Sequence, residues 1–174
     1  MTHRRLIRTS RSVPDFDRLY EDHAQALFAF LTYRTGDRAL AEALLADTLE
    51  RALRARKRYD PRKAGVKTWL YAIALNCLRD QRRRAAAEAH ALDRVGGRGP
   101  DDELESDVAL GQIESRDVVG RALATLSVEE RETVALRFGG DLTAPEIASV
   151  LGEKLTTVEG RLYRALRKLR DDLE

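Results

Sequence analysis

TAPEIASVLGEKLTTVEGRLYRALRKL, residues 143–169, places two amphipathic segments on either side of one glycine. Thr143 followed by Glu146 has the spacing of a capping box, and Pro145 falls in the first turn, where its missing N–H costs nothing. Gly152 suits the left-handed residue that ends a helix, and Ala148 is small enough for a second helix to approach closely. Thr156 with Glu159 repeats the capping spacing, so the sequence predicts a second helix from there. Val158, Leu162, Leu166 and Leu169 fall on one stripe of it, and Arg161, Arg164 and Lys168 on another. A short helix, a tight turn and a longer basic helix read as a helix-turn-helix, whose second helix enters a DNA major groove. Two packed helices with a solvated basic face would show the same periodicity.

Charge distribution supports a polyanion partner more than total charge does. The 174 residues carry a net charge of only +2. Between Arg51 and Arg84, however, twelve basic residues face only Asp60 and Asp80. From Asp101 to Asp117 the pattern inverts, with seven acids against Arg116. A phosphate backbone responds to such local charge. Cys77 is the single cysteine, which excludes an internal disulfide, and its place on an apolar face predicts a buried thiol. The three histidines lack metal-ligand spacing, so neither a metal nor a cofactor is expected. No apolar run reaches the length of a membrane span, and the arginines of residues 1–14 have no apolar segment behind them, so a soluble cytoplasmic protein with a loose basic tail is expected.

Elsewhere the periodicity is helical. Phe16, Leu19, Tyr20, Leu27, Phe30 and Leu31 share a face after an Asp15 cap. Leu40, Leu44, Leu45, Leu49 and Leu53 share another after Asp37, and that helix ends before Pro61. A basic loop runs to Lys67, and Thr68 opens a third helix with Trp69, Leu70, Ile73, Ala74, Cys77 and Leu78 inward. From Ala85 the pattern loosens, and Gly96, Gly97, Gly99 and Pro100 precede the acidic run, which reads as a linker. Helix returns near Ile113 or Asp117, breaks at Ser127 (a capping box with Glu130) and resumes through Val134, Leu136 and Phe138. The expected fold is all-α: a tail over 1–14, a helical domain over 15–90, a flexible linker over 91–112 and a helix-turn-helix domain over 113–174.

Four segments in order resemble the extracytoplasmic-function (group IV) sigma factors of the bacterial sigma-70 family. AEALLADTLERALR at 41–54 and WLYAIALN at 69–76, followed by Arg79, Asp80 and Arg82–Arg84, resemble region 2. LSVEERETVALR at 126–137 and EIASVLG through TVEGRLYRAL at 146–166 resemble region 4. The resemblance implies a non-enzymatic factor that binds core RNA polymerase and directs initiation at promoters. Region 2 would grip the β′ clamp helices through Asp47, Glu50, Arg51 and Arg54. It would capture the −10 element through Arg58, Arg62, Lys63, Lys67, Asn76, Arg79, Arg82 and Arg83, with a base flipped from the melted strand. Asn76 is the best single candidate for a base-edge contact, since its amide offers both donor and acceptor, with a solvent-facing or capping amide as the alternative; Trp69 fits core packing better than base stacking. Region 4 would read the duplex −35 element with Thr157, Glu159, Gly160, Arg161, Tyr163, Arg164 and Lys168, and dock the β flap through Leu136 and Phe138. The resemblance also implies an anti-sigma factor as a candidate regulator.

Four positions depart from the family's pattern. Ala43 stands where an acid is usual, which leaves Glu42 and Asp47 as the acids, and Thr48, adjacent to Asp47, carries a hydroxyl that phosphorylation could make acidic. Glu159 replaces a basic residue, although an acid can accept from a cytosine amine. Gly160 replaces serine and Ser127 replaces proline. Two other classes compete. A stand-alone helix-turn-helix regulator would bind duplex DNA without polymerase, and a protein-binding adaptor would show no steep salt dependence with DNA. No nucleophile, base and orienting group occur together, which argues against an enzyme.

Overall fold

The computed structural model describes residues 15–96, 123 and 125–173, with side chains as far as 91 in the first segment and 171 in the last. The expected tail, the acidic run and the helix start near Ile113 or Asp117 lie outside these residues. Helix α1 spans Phe16–Thr35 and begins at Asp15, whose carboxylate accepts from the Asp17 amide. Gly36 ends it at φ 63°, a left-handed conformation that glycine adopts without a Cβ penalty. Helix α2 spans Arg38–Ala55, and the Asp37 carboxylate accepts from the Ala39 and Leu40 amides at 2.8 and 3.1 Å. A 3₁₀ turn at Arg56–Arg58 leads into the Asp60-Pro61 loop, and α3 runs from Val66 to Gly96. The C-terminal part comprises α4 (Val128–Val134), a π-helical turn (Ala135–Gly139), α5 (Ala144–Leu151) and α6 (Leu155–Leu173). Among the described residues there is no strand.

Local chemistry shifts three boundaries. Helix α3 starts two residues before Thr68 and continues well past Ala85, where the apolar pattern fades. The alanines of 85–91 favour helix by propensity, and a solvated helix needs no apolar stripe. Residues 91–96, placed in the linker by sequence, are therefore helical. Helix α6 begins at Leu155, so Thr156 lies inside its first turn and is not the cap; Glu159 thereby loses its capping explanation. Ser127 is the cap expected: its Oγ accepts from the Glu130 amide at 3.2 Å, and Glu130 accepts from the Ser127 amide at 2.9 Å.

The core differs more from the sequence expectation. Leu27, Phe30 and Leu31 of α1 meet Ala41, Leu44 and Ala52 of α2 and Leu70, Tyr71 and Leu75 of α3. The same buried cluster continues without a break into Leu136, Leu142, Ile147 and Val158 of the C-terminal part. The two helical units thus share one core, where a tether alone would leave them separate. A smaller cluster of Leu126, Val134 and Ala165 joins α4 to α6. Tyr20, Leu53 and Leu166, assigned to apolar faces by spacing, are exposed, the latter two because they lie at the margins of their stripes.

Thr48 is fully buried, and its hydroxyl donates to the Leu44 carbonyl at 2.7 Å. The folded chain therefore presents no Thr48 hydroxyl to a kinase. Thr48→Glu should lower stability in urea unfolding by at least about 3 kcal/mol, because it buries an unpaired carboxylate. The near-isosteric Thr48→Val should cost only about 1 kcal/mol, the worth of one intramolecular hydrogen bond.

Candidate nucleic-acid interface

The basic loop of the first unit is built by its own polar groups. Asp60 accepts from the Arg62 amide through its carboxylate at 3.1 Å and from the Lys63 amide through its carbonyl at 3.0 Å, closing the turn at Pro61. The Tyr59 hydroxyl donates to the Ala64 carbonyl at 3.0 Å, and its ring lies against half-buried Trp69 with centroids 5.0 Å apart. Trp69 is thus a support for the loop, and Arg58, Arg62 and Lys63 project into solvent. On the outer side of α3, Asn76, Arg79, Asp80, Arg82 and Arg83 line an open cleft of about 680 Å³. Helical spacing places these residues on one face, and the exposed Asn76 amide opens onto it.

Asp80 ties this cleft to α2. Arg51 donates to Asp80 at 2.7 Å and holds Asp47 through two nitrogens, at 3.0 and 2.9 Å. Arg83 also donates to Asp80. Bonding to Arg51, then to Arg83, holds the Asp80 carboxyl below its ordinary range, and the Asp80 and Asp47 bonds push Arg51 up. Arg51 is therefore a bridge between helices, whereas Glu50 and Arg54 pair with each other on the exposed side of α2. Asp80 was no sequence candidate. Its signal was an acid set among Arg79 and Arg82–Arg84.

The second unit divides its basic residues between structure and surface. Arg161, assigned by spacing to the outer stripe, turns inward: it donates to Thr133 Oγ1 at 3.3 Å and pairs with Glu153 at 2.9 Å. Lys168 reaches back to Glu130 at 2.8 Å. Thr157, Glu159, Tyr163 and Arg164 remain exposed, with Tyr163 at 70%. At Gly160 a Cβ would lie 3.4 Å from the Arg164 guanidinium, an ordinary contact, so the packing here does not require glycine. Leu136, expected on a docking surface, is fully buried in the shared core, while Phe138 on the same turn is 62% exposed. Residues two positions apart on a helical turn point to nearly opposite sides of the axis, which separates these two side chains.

Three contacts cross between the units at this site. Lys67 Nζ donates to the Asp141 carbonyl at 2.7 Å and lies 3.4 Å from its carboxylate. Thr68 donates to Glu146 at 3.3 Å, and Arg79 to Glu132 at 3.3 Å. Glu146 also accepts from the Thr143 amide and hydroxyl, both at 2.8 Å. No sequence pattern pointed to Glu132 or Asp141 as partners of α3.

Comparison with known proteins follows this division into units. Sigma-70 region 2 matches residues 19–88, and Sigma-70, region 4 matches residues 116–169. The ECF RNA polymerase sigma factor SigL of Mycobacterium tuberculosis is 30% identical over 158 residues, covering 90% of this chain and 87% of that protein. RpoE of Cereibacter sphaeroides is 29% identical, covering 97% and 92%. Among solved structures, the sigma factor RpoE in complex with the anti-sigma factor NepR from Bartonella quintana is similar with a TM-score of 0.70 and 25% identity, over 91% of this chain and 96% of that one. CnrH in complex with the cytosolic domain of CnrY gives a TM-score of 0.60 and 28% identity, over 91% and 86%. The chain belongs to the extracytoplasmic-function sigma factors of the sigma-70 family.

Two carboxylates within the C-terminal unit make its stability sensitive to acid. Burial pushes Glu130 up, but the bonds from Lys168 and the Ser127 amide outweigh it and leave the group below its ordinary value. The Thr143 amide and hydroxyl hold Glu146 down as well. Carboxylates lowered in the folded state stabilise it fully above the unfolded value of about 4.3 and lose that contribution as pH falls through the folded value. Thermal unfolding from pH 7 to pH 3 should show a near-constant midpoint to about pH 5 and a fall below it. Glu130→Gln with Glu146→Gln should flatten that fall and lower the plateau.

Proposed function

We propose that this sigma factor joins core RNA polymerase, recognises −10 and −35 elements and promotes strand separation at the start site, acting as a regulator in the cytoplasm without chemistry of its own. The observation that carries this reading is the cleft lined by Asn76, Arg79, Arg82 and Arg83. Its cations would hold the backbone of the melted strand together with Arg58, Arg62, Lys63 and Lys67, and the Asn76 amide would read the edge of a flipped base. The exposed edge of α6, from Thr157 through Arg164, would enter the major groove at the −35 element. Arg161 and Lys168 act there as braces that fix the pitch of α6, given their bonds to Glu153 and Glu130. Glu50 and Arg54 would meet the β′ clamp helices, with Asp47 and Arg51 transmitting that contact to Asp80 and the cleft. Phe138 is the apolar contact offered to the β flap.

Regulation by an anti-sigma factor is part of the proposal, supported by the likeness to a sigma factor solved with an anti-sigma factor. A stand-alone helix-turn-helix regulator has no use for a melted-strand cleft, and the match over residues 19–88 counts against it.

Run-off transcription with purified core polymerase on a genomic library should yield discrete start sites that core alone does not use; absence of any such product would refute the reading. On a promoter so found, Asn76→Ala should reduce open-complex formation by about five- to a hundredfold, the range for one base contact. Arg164→Ala should weaken binding and, if the side chain meets phosphate, lower the salt slope by about one. Gel-shift titrations at several salt concentrations separate the two effects.

A further inference from the structure

Helix α6 carries a carboxylate on the edge where a DNA-reading helix gains from positive charge. Glu159 is exposed, and among the described residues it makes no hydrogen bond or ion pair. No local role accounts for it. Because α6 begins at Leu155, Glu159 lies beyond the first turn, where a carboxylate would gain from unpaired amides and the helix dipole. The residues three and four positions away are Leu155, Thr156, Leu162 and Tyr163, none of them a cation at pairing distance. Arg161 is drawn inward to Thr133 and Glu153, and Gly160 adds no side chain. We propose, building on the sigma-factor reading, that Glu159 is a specificity-determining residue of this chain. Its carboxylate accepts from the N4 amine of a cytosine in the major groove of the −35 element.

Base-edge chemistry selects cytosine. Guanine presents two acceptors, N7 and O6, and thymine presents the acceptor O4 beside a methyl group, so neither suits a carboxylate. Adenine has an amine, but its N7 acceptor lies next to it and opposes the second carboxylate oxygen. Cytosine offers the N4 amine with no acceptor beside it on the open side of the base. A carboxylate brought into the groove loses water, so a base without that donor leaves it unpaired and is rejected.

Position on the helix agrees with this chemistry. The N-terminal residues of a recognition helix meet base edges, and Glu159 lies between exposed Thr156 and Tyr163 on one outer stripe. The same charge repels phosphate. It therefore weakens binding to every sequence alike and leaves discrimination to the base it meets.

The test is selection from a randomised duplex library, run with the chain on core polymerase and, in parallel, with the chain alone. The unaltered chain should enrich cytosine at one position of the −35 element by about fivefold or more. Glu159→Gln should move the preference at that position to adenine, whose N6 and N7 pair with an amide, and Glu159→Arg should move it to guanine. Glu159→Ala should erase it and keep the preferences elsewhere, whereas a damaged fold would disturb every position. N4-methylcytosine at the chosen position still pairs with guanine but blocks the groove side of the amine. It should cost the unaltered chain a similar factor and leave Glu159→Ala unaffected.

Three results would overturn the assignment: an equal gain on all sequences in Glu159→Ala, loss of polymerase binding with an unchanged base profile, or no enriched cytosine. Initiation at discrete start sites with no position responding to residue 159 refutes this proposal and leaves the sigma-factor reading intact. A cytosine preference that follows residue 159 in the chain alone, with no initiation by core polymerase, supports the proposal and refutes that reading instead.

Discussion

The contact of Tyr71 with the backbone at Gly140 is the point on which the whole arrangement turns. Tyr71 leaves α3 toward α1, where its ring meets the edge of Phe30 with centroids 5.1 Å apart. The π turn at Ala135–Gly139 brings Gly140 onto the same ring. A residue with a Cβ could not approach so closely without relieving two clashes, with the Tyr71 ring and with the Leu136 carbonyl, 2.8 Å from the same Cβ. One small residue thus allows the core of the first unit to extend into the second, burying Leu136, Leu142 and Ile147. Burial of apolar surface supplies the driving force, and the aromatic pair fixes its direction.

Charges around this contact follow a different logic. Half-buried cations are used internally: Arg51 braces α2 against α3 and Arg161 holds Glu153, while the exposed Lys168 reaches back to Glu130. The exposed cations of the 56–63 loop and of α3 form the surface that DNA would meet. Lys67 and Arg79 lie between the two groups, because their present partners come from the other unit. A protein with a net charge of +2 can therefore carry a basic face and, in the same chain, the acids that cover part of it.

Much of the helical architecture was legible in the sequence. Asp15, Asp37 and Ser127 are caps because their side chains can accept from the amides that a helix start leaves unpaired, and Gly36 and Gly152 end helices at positive φ. These are short-range effects, complete within a few residues. The cap assigned to Thr156 failed because Leu155 already continues the helix after the Gly152 turn. The fading apolar pattern after Ala85 hid the last three turns of α3, since periodicity reports burial and a solvated helix has none to report. Of the candidate site, the outward face of α3 was readable from helical spacing, but the inward turn of Arg161 was not. Its direction depends on Glu153 and Thr133, which lie on other elements.

By itself the sequence determined an all-helical chain with a helix-turn-helix, a basic loop and a basic third helix, because caps, glycines and apolar spacing act locally. Only the tertiary structure decided that the two units share a core, that Thr48 and Leu136 are hidden and that Glu132, Asp141 and Glu146 meet α3. Those outcomes depend on which surfaces touch across more than fifty residues of chain, from Arg79 to Glu132 and beyond. A contact of that kind is set by shape and charge meeting in space, and nothing in the residues flanking either partner announces it.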